Sequence, residues 1–171
     1  MPGAERFRPL VFGLAAVGLI AGWSLLSAPD QIIYNHSPSL PAGFYVRTAD
    51  PPSRGRLIRF ATPETAAAYA RERGDDIASV TFLKPVGATA GDQVCRQGET
   101  LSVNGTGVAS ARERDGAGRL LPAWSGCRTL RPGEFLALAT RVPNSFDSRY
   151  YGPVPRGRIL GVYRPLWTFS P

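Results

Sequence analysis

The feature that most constrains this chain is a stretch without charged residues near its N-terminus, PLVFGLAAVGLIAGWSLLSAP at positions 9–29. As an α-helix, residues 10–28 would span about 28 Å, close to the hydrocarbon thickness of a bilayer. A cleaved signal peptide is the alternative, and it requires small residues one and three positions before the cut. Cleavage after Ala28 would place Leu26 at the third position, which fits poorly. The pattern therefore predicts a transmembrane anchor at 10–28.

The charges that flank this stretch predict its orientation. Arg6 and Arg8 precede it and Asp30 follows it, and positive residues are enriched on the cytoplasmic side of membrane spans. We therefore expect residues 1–9 to be a cytoplasmic N-terminus and residues 30–171 to form a domain outside the cytoplasm.

The composition of the remaining chain favours short strands. There are 19 glycines and 16 prolines, and hydrophobic residues make up 43% of the sequence. This allows a core but favours turns over long helices. Runs of apolar and β-branched residues bounded by turn residues predict strands, at 56–61, 78–88, 92–96, 100–105, 134–140 and 158–169. The predicted fold class is mainly β.

Three segments between these strands have signals of their own. TPETAAAYARERG at 62–74 predicts the one helix after the anchor, with Thr62 as its cap and Gly74 as its end. The dipeptide at 104–105, Asn-Gly, predicts a hairpin turn. Residues 105–119 are rich in glycine and charge, and they predict a loop.

Charge and cysteine content restrict the class of function. The net charge is +7, but the arginines are spread along the chain and form no aromatic-basic cluster. Nucleic-acid binding is therefore disfavoured, whereas attraction to anionic lipid stays open. Two cysteines and one histidine are too few for a usual zinc site, and we expect neither a metal nor another cofactor. Cys95 and Cys127 either form a disulfide in an oxidising compartment or are buried free thiols.

The chain holds a single lysine, Lys84, in the apolar stretch VTFLKPVG at 80–87. Arginine can replace lysine wherever a permanent charge suffices, but it cannot lose a proton at ordinary pH. Burial lowers the pKa of an amine, and a neutral amine is a general base. The alternative is a lysine whose stem packs on the sheet while its amine reaches water.

A candidate nucleophile lies in NHSPSLPAGFY at 35–45, where Ser37 and Ser39 flank a proline. Serine needs a base that takes its proton, and a Ser-Lys pair is one known solution. A Ser-His-Asp triad would have to use His36, the only histidine. Because His36 is the sequence neighbour of Ser37 in a loop, we expect it to be exposed and not to form a triad.

Three segments in this order resemble the bacterial type I signal peptidases (S26 family), membrane-anchored serine proteases with a Ser-Lys dyad. The serine segment follows the uncharged stretch, LKPVGATAGD follows at 83–92, and NSFDSRYYG at 144–152 fits the last family box at every specified position. The resemblance implies an antiparallel β-sheet domain behind one N-terminal transmembrane helix. Within the family, the serine segment is similar to that of the TraF-type peptidases of conjugative plasmid transfer, and the matching residues are Asn35, Ser39, Pro41, Gly43 and Tyr45.

The resemblance implies a role for individual residues. Ser39 corresponds to the nucleophile and Lys84 to the general base. Ser37 corresponds to a serine whose hydroxyl helps to bind the oxyanion, so that its loss should weaken activity without abolishing it. Ser145 corresponds to the serine that orients the amine. A structural ion pair beneath the site corresponds to Asp147 and Arg149.

The chain departs from the family pattern at several positions. Pro85 follows the lysine where the family usually has an arginine, so we expect no second cation to lower the pKa of Lys84. Leu40 replaces a methionine, and the residues before the last box are Ala-Thr-Arg-Val at 139–142. We expect these changes to affect substrate preference more than chemistry.

The function implied by the resemblance is processing of an exported protein precursor by a serine endopeptidase in the bacterial inner membrane, with its catalytic domain in the periplasm. The TraF-type similarity implies a pilin or another conjugation component as the substrate, with hydrolysis or cyclisation as the outcome, and conjugation-apparatus proteins as partners. Two alternatives remain: a housekeeping signal peptidase, and a membrane-anchored β scaffold of a secretion channel without activity.

Overall fold

The computed structural model describes residues 30–169. The predicted anchor at 10–28 and the cytoplasmic segment at 1–9 lie outside this range. Within the described range, no helix is long and apolar enough to cross a membrane. The chain divides into two units, residues 1–33 and 34–171, and the core and the candidate site described below lie in the second.

Short strands make up most of the described chain. They are β1 (Ile32–Asn35), β2 (Gly43–Thr48), β3 (Leu57–Ala61), β4 (Thr81–Ala88), β5 (Gln93–Gln97), β6 (Thr100–Val103), β7 (Thr106–Ser110), β8 (Gly126–Thr129), β9 (Glu134–Ala137), β10 (Val154–Pro155) and β11 (Ile159–Thr168). The helices are α1 (Glu64–Glu72) and α2 (Ser148–Tyr151), and a 3₁₀ turn covers Arg156–Arg158.

The strands form two sheets. The larger has the order β1-β2-β11-β3-β4-β9-β10, and the smaller has the order β7-β6-β5-β8. The pairings among β2 to β11 are antiparallel. This confirms the predicted mainly β fold.

Alternation along β4 decides what the larger sheet buries. Successive side chains of a strand point to opposite faces, and the face of Lys84, Val86 and Ala88 is the buried one. Val86 packs with Ile58 and Phe60 of β3 in the main core cluster. Lys84 therefore lies on the same face of the strand as core residues, and its side chain points into the protein.

Two sequence predictions about local structure were wrong. Helix α1 begins at Glu64 after Pro63, and no side chain caps it. The hydroxyl of Thr62 instead donates to the carbonyl of Val80 at 2.9 Å, which ties the helix entry to the start of β4. The segment 105–119 is also not all loop, because β7 occupies its first part and pairs with β6.

The smaller sheet contains the predicted hairpin and both cysteines. Asn104 and Gly105 have φ of 50° and 80° between β6 and β7, the left-handed pair that tight hairpins require. Cys95 and Cys127 face each other across β5 and β8. A disulfide joins them, with an S–S distance of 2.06 Å.

Candidate active site

The loop between β1 and β2, residues 36–42 and called here the serine loop, brings Ser39 to the amine of Lys84. The Nζ atom lies 2.5 Å from Ser39 Oγ. Only 3% of Ser39 and 5% of Lys84 are exposed to solvent. Two side chains that are 45 residues apart in sequence thus meet in a site from which water is largely excluded.

Two further serines extend this contact into a chain of polar groups. Ser37 Oγ lies 2.8 Å from Ser39 Oγ. On the other side, Lys84 Nζ donates to Ser145 Oγ at 3.2 Å. The amine therefore has two hydroxyl neighbours within the fold, and these fix its position between the serine loop and the segment that precedes α2.

Burial is also what changes the acidity of the amine. Desolvation lowers the pKa of Lys84 from its ordinary 10.5 to about 8. The charge of Asp147 opposes this shift, and the charge of Arg149 adds to it. The expectation that no second cation would lower this pKa was wrong. Pro85 carries no charge, but the guanidinium of Arg149, from the segment at 144–152, lowers the pKa of Lys84.

Asp147 and Arg149 form a buried ion pair behind the serines. Arg149 Nε donates to Asp147 Oδ1 at 2.8 Å, and the two side chains are 2% and 0% exposed. Arg149 Nη2 donates to Asp147 Oδ2 at 3.1 Å, and the other guanidinium hydrogens go to the carbonyls of Ser110, Pro143 and Ala139. Asp147 also accepts from the Ala139 N–H at 3.0 Å and caps α2. The pair therefore fixes the segment that carries Ser145 against the end of β9.

Two residues of the TraF-type sequence pattern, Asn35 and Tyr45, hold the serine loop in place, a role that the pattern itself did not reveal. The amide nitrogen of Asn35 donates to the carbonyls of Ser37, Leu40 and Pro41. Its amide oxygen accepts from the Ser37 N–H at 3.3 Å. Tyr45 adds a hydroxyl bond to the Pro41 carbonyl at 2.7 Å. In the sequence, the available signal for this scaffold was the asparagine that directly precedes the segment of serines and prolines.

Gly43, which belongs to the same sequence pattern, is a glycine for steric reasons. Its φ is +148°, and a Cβ at this position would lie 2.3 Å from the Trp167 carbonyl oxygen of β11. His36, in contrast, is exposed, as predicted. The structure thus brings Ser37, Ser39, Lys84 and Ser145 together, with the ion pair behind them, while the disulfide belongs to the smaller sheet.

The match to a family model assigns the class of protein. Residues 6–167 match the model described as signal peptidase, peptidase S26. The chain belongs to this family of peptidases, and the resemblance seen in its motifs is confirmed.

The similar proteins identify the branch of the family. The chain is 33% identical to a probable conjugal transfer protein TraF of Sinorhizobium fredii, over 98% of this chain and 94% of that protein. It is 31% identical to a plasmid transfer protein TraF of Escherichia coli, over 96% of this chain and 99% of the relative. The chain is therefore a TraF-type member.

A solved structure of a signal peptidase I from Enterococcus faecalis V583 also matches. It is 20% identical, with a TM-score of 0.40, and the match covers 67% of this chain and 98% of that one. The family assignment rests on the sequence matches and not on this overlap.

Proposed function

We propose that this protein is a membrane-anchored serine endopeptidase that processes an exported precursor in conjugation, with Ser39 as nucleophile and Lys84 as general base. The observation that carries the proposal is the 2.5 Å contact between Lys84 Nζ and Ser39 Oγ in a buried site. An arginine-rich chain that keeps its only lysine at this point supports the same role.

The proposed reaction begins with acylation of the serine. When the amine is neutral, the hydroxyl of Ser39 donates to Nζ, and its oxygen attacks the scissile carbonyl carbon as the proton passes to Lys84. The Ser39 N–H and the Ser37 hydroxyl donate to the oxyanion. The C–N bond then breaks, the leaving amine takes the proton from Lys84, and an ester on Ser39 remains.

The second half of the reaction resolves this ester. Water gives its proton to Lys84 and attacks the acyl carbon, which releases a carboxylate product and restores the serine hydroxyl. An amine of the substrate can attack in place of water, and the product is then a peptide bond. Ser145 keeps the amine in place through both halves, since its oxygen lies 3.2 Å from Nζ.

The proposed substrate is a pilin or another component of the conjugation apparatus. The names of the similar proteins support this, since they are described as conjugal or plasmid transfer proteins. Intact-mass spectrometry of the mature substrate distinguishes the two outcomes, because a cyclic chain weighs one water less than the linear product.

We also propose that the domain works at the periplasmic surface of the inner membrane. The uncharged segment at 9–29 supports an anchor there. A second support is a row of exposed aromatic side chains on neighbouring strands, called here the aromatic edge: Tyr34, Phe44 and Trp167. Trp and Tyr are enriched at membrane-water interfaces, and the aromatic edge begins a few residues after the segment, within a reach of about 3.5 Å per residue.

The experiment that tests the proposal compares Ser39→Ala and Lys84→Arg with the wild-type chain in membranes. Arginine keeps the charge but cannot act as a base, so both variants should lose precursor processing. Circular dichroism and membrane fractionation serve as controls for folding and insertion. Wild-type processing by a correctly inserted Lys84→Arg protein would end the assignment of the base.

A further inference from the structure

The exposed side chain of Arg141 binds the serine loop. Its Nη1 atom donates to the carbonyl oxygen of Pro38 at 3.0 Å. Arg141 lies 103 positions further along the chain, between β9 and α2, and its side chain is exposed. The carbonyl that it holds belongs to the peptide group whose N–H is that of Ser39.

A planar trans peptide points its carbonyl and its N–H in opposite directions. No cis peptide bond occurs in the described residues. Fixing the Pro38 carbonyl on Arg141 therefore directs the Ser39 N–H away from Arg141. No acceptor among residues 30–169 receives this N–H, so it is free to bind a substrate oxygen.

Three other carbonyls of the loop accept hydrogen bonds from a different side chain. Asn35 binds those of Ser37, Leu40 and Pro41 from the inner side. None of these three carbonyls shares a peptide group with the Ser39 N–H. Among the residues that the structure describes, Arg141 is thus the side chain that holds the carbonyl of this peptide group.

We propose that Arg141 is a positioning residue, which orients and polarises the Pro38–Ser39 peptide group so that its N–H stabilises the oxyanion. The inference rests on the proposed peptidase function and assigns a role to a residue at which the chain departs from the family pattern. The guanidinium withdraws electron density through the carbonyl, which makes the N–H a stronger donor. The contact exists before substrate binds, so it requires no reorganisation during the reaction.

The test is steady-state kinetics of the full chain in proteoliposomes, with an internally quenched peptide that has alanine at the cut. The peptide is chosen because the wild-type protein cleaves it. We expect Arg141→Ala to lower kcat about 10-fold to 100-fold, less than the 10²–10³ that typically follows outright loss of an oxyanion donor. KM should stay within about threefold, because the oxyanion exists only in the transition state. Arg141→Lys, which can still donate to the carbonyl, should recover part of the rate.

The chain offers a matched control. Arg47 is also exposed and also donates to one distant carbonyl, that of Leu160, at 2.8 Å. Arg47→Ala should leave kcat and KM unchanged. The pH midpoint of kcat/KM should not move in Arg141→Ala, since Asp147 and Arg149 are the charges that shift the pKa of Lys84. A general structural role would instead lower the melting temperature together with the rate.

Each failure has its own signature. Wild-type kcat in Arg141→Ala, beside an inactive Ser39→Ala, would overturn this inference and leave the proposed function standing. A rise in KM with unchanged kcat would also overturn it and assign Arg141 to substrate binding. Cleavage that persists in Ser39→Ala would overturn the proposed function, and the inference with it.

Discussion

At the scale of single residues, Lys84 occupies a position where an apolar side chain would suit the fold better. Its neighbours along the buried face of β4 are Val86 and Ala88, and burial lowers the pKa of its amine to about 8. Burying the charged form opposes folding, because the ammonium loses its hydration. A residue that is unfavourable for stability is expected where function requires it.

Lys84→Met should therefore abolish activity and stabilise the protein. We expect a gain of up to about 3 kcal/mol at pH 7, from the lowering of the pKa from 10.5 to about 8 at about 1.4 kcal/mol per pH unit. Between pH 8 and 10.5 the unfolded wild type binds more protons at this lysine than the folded protein. Wild-type stability relative to the variant therefore rises with pH in this window. Chemical denaturation at several pH values measures both effects, and a variant less stable than wild type at pH 7 would contradict them.

Asp147→Asn should move the pH-rate profile of peptide cleavage to lower pH. The carboxylate raises the pKa of Lys84, so its neutral replacement leaves burial and Arg149 to lower that pKa further. The variant should also lose about 3–5 kcal/mol of stability, since breaking a buried ion pair leaves a charge without its partner. The measurement is kcat/KM against pH below the variant's melting temperature. An unchanged midpoint would show that the Asp147 charge does not act on the amine.

At the scale of elements, the serine loop depends on the asparagine that precedes it. Asn35→Ala removes one donor from each of three backbone carbonyls. The Pro41 carbonyl keeps the Tyr45 hydroxyl and the Ser37 carbonyl keeps the Leu40 N–H, so within residues 30–169 the Leu40 carbonyl is the one left without a partner, at a cost of about 1–3 kcal/mol. Tyr45→Phe, which removes one bond to the Pro41 carbonyl, is the matched control. Thermal melting should show a clearly larger loss for Asn35→Ala. Equal losses would mean that the asparagine does not hold the loop.

Sequence patterns predicted the elements whose causes are local. The Asn-Gly turn at 104–105 and the strand around Lys84 follow from neighbouring residues, and both are present. The start of α1 was missed because the partner of Thr62 is Val80, on a different element.

The candidate site shows the same division. Lys84 was singled out because it is the only lysine of the sequence, and Ser39 through the family resemblance of its segment. The contact of Arg141 with the Pro38 carbonyl, in contrast, connects segments 103 residues apart. Such a bond is decided by the tertiary fold, which no local pattern contains.

At the scale of the whole molecule, the aromatic edge is the surface on which the proposed membrane contact depends. Trp167 of β11 pairs with Phe44 of β2, and the Phe44 ring lies 5.2 Å from that of Tyr34. Trp167 is 69% exposed, which is an unfavourable position for an indole in water. A lipid surface would cover this ring and leave its N–H in the headgroup region.

Quenching of tryptophan fluorescence by brominated lipids tests this contact in the full chain. The comparison is made in a Trp23→Phe background, which removes the tryptophan of the proposed anchor. In this background Trp167→Phe should remove a large part of the quenching seen in proteoliposomes, whereas Trp124→Phe, which changes the half-buried tryptophan, should remove little. Equal quenching with and without Trp167→Phe would show that the aromatic edge does not touch lipid.

The most direct test of the account is the titration of the Lys84 amine itself. Because the chain has one lysine, protein labelled with 15N-lysine gives a single side-chain nitrogen signal by NMR. The account predicts a midpoint at pH about 8, equal to the midpoint at which kcat/KM of the free enzyme rises to its plateau. A midpoint near the ordinary 10.5, or activity that is complete while the amine is still protonated, would contradict the claim that Lys84 takes the proton of Ser39.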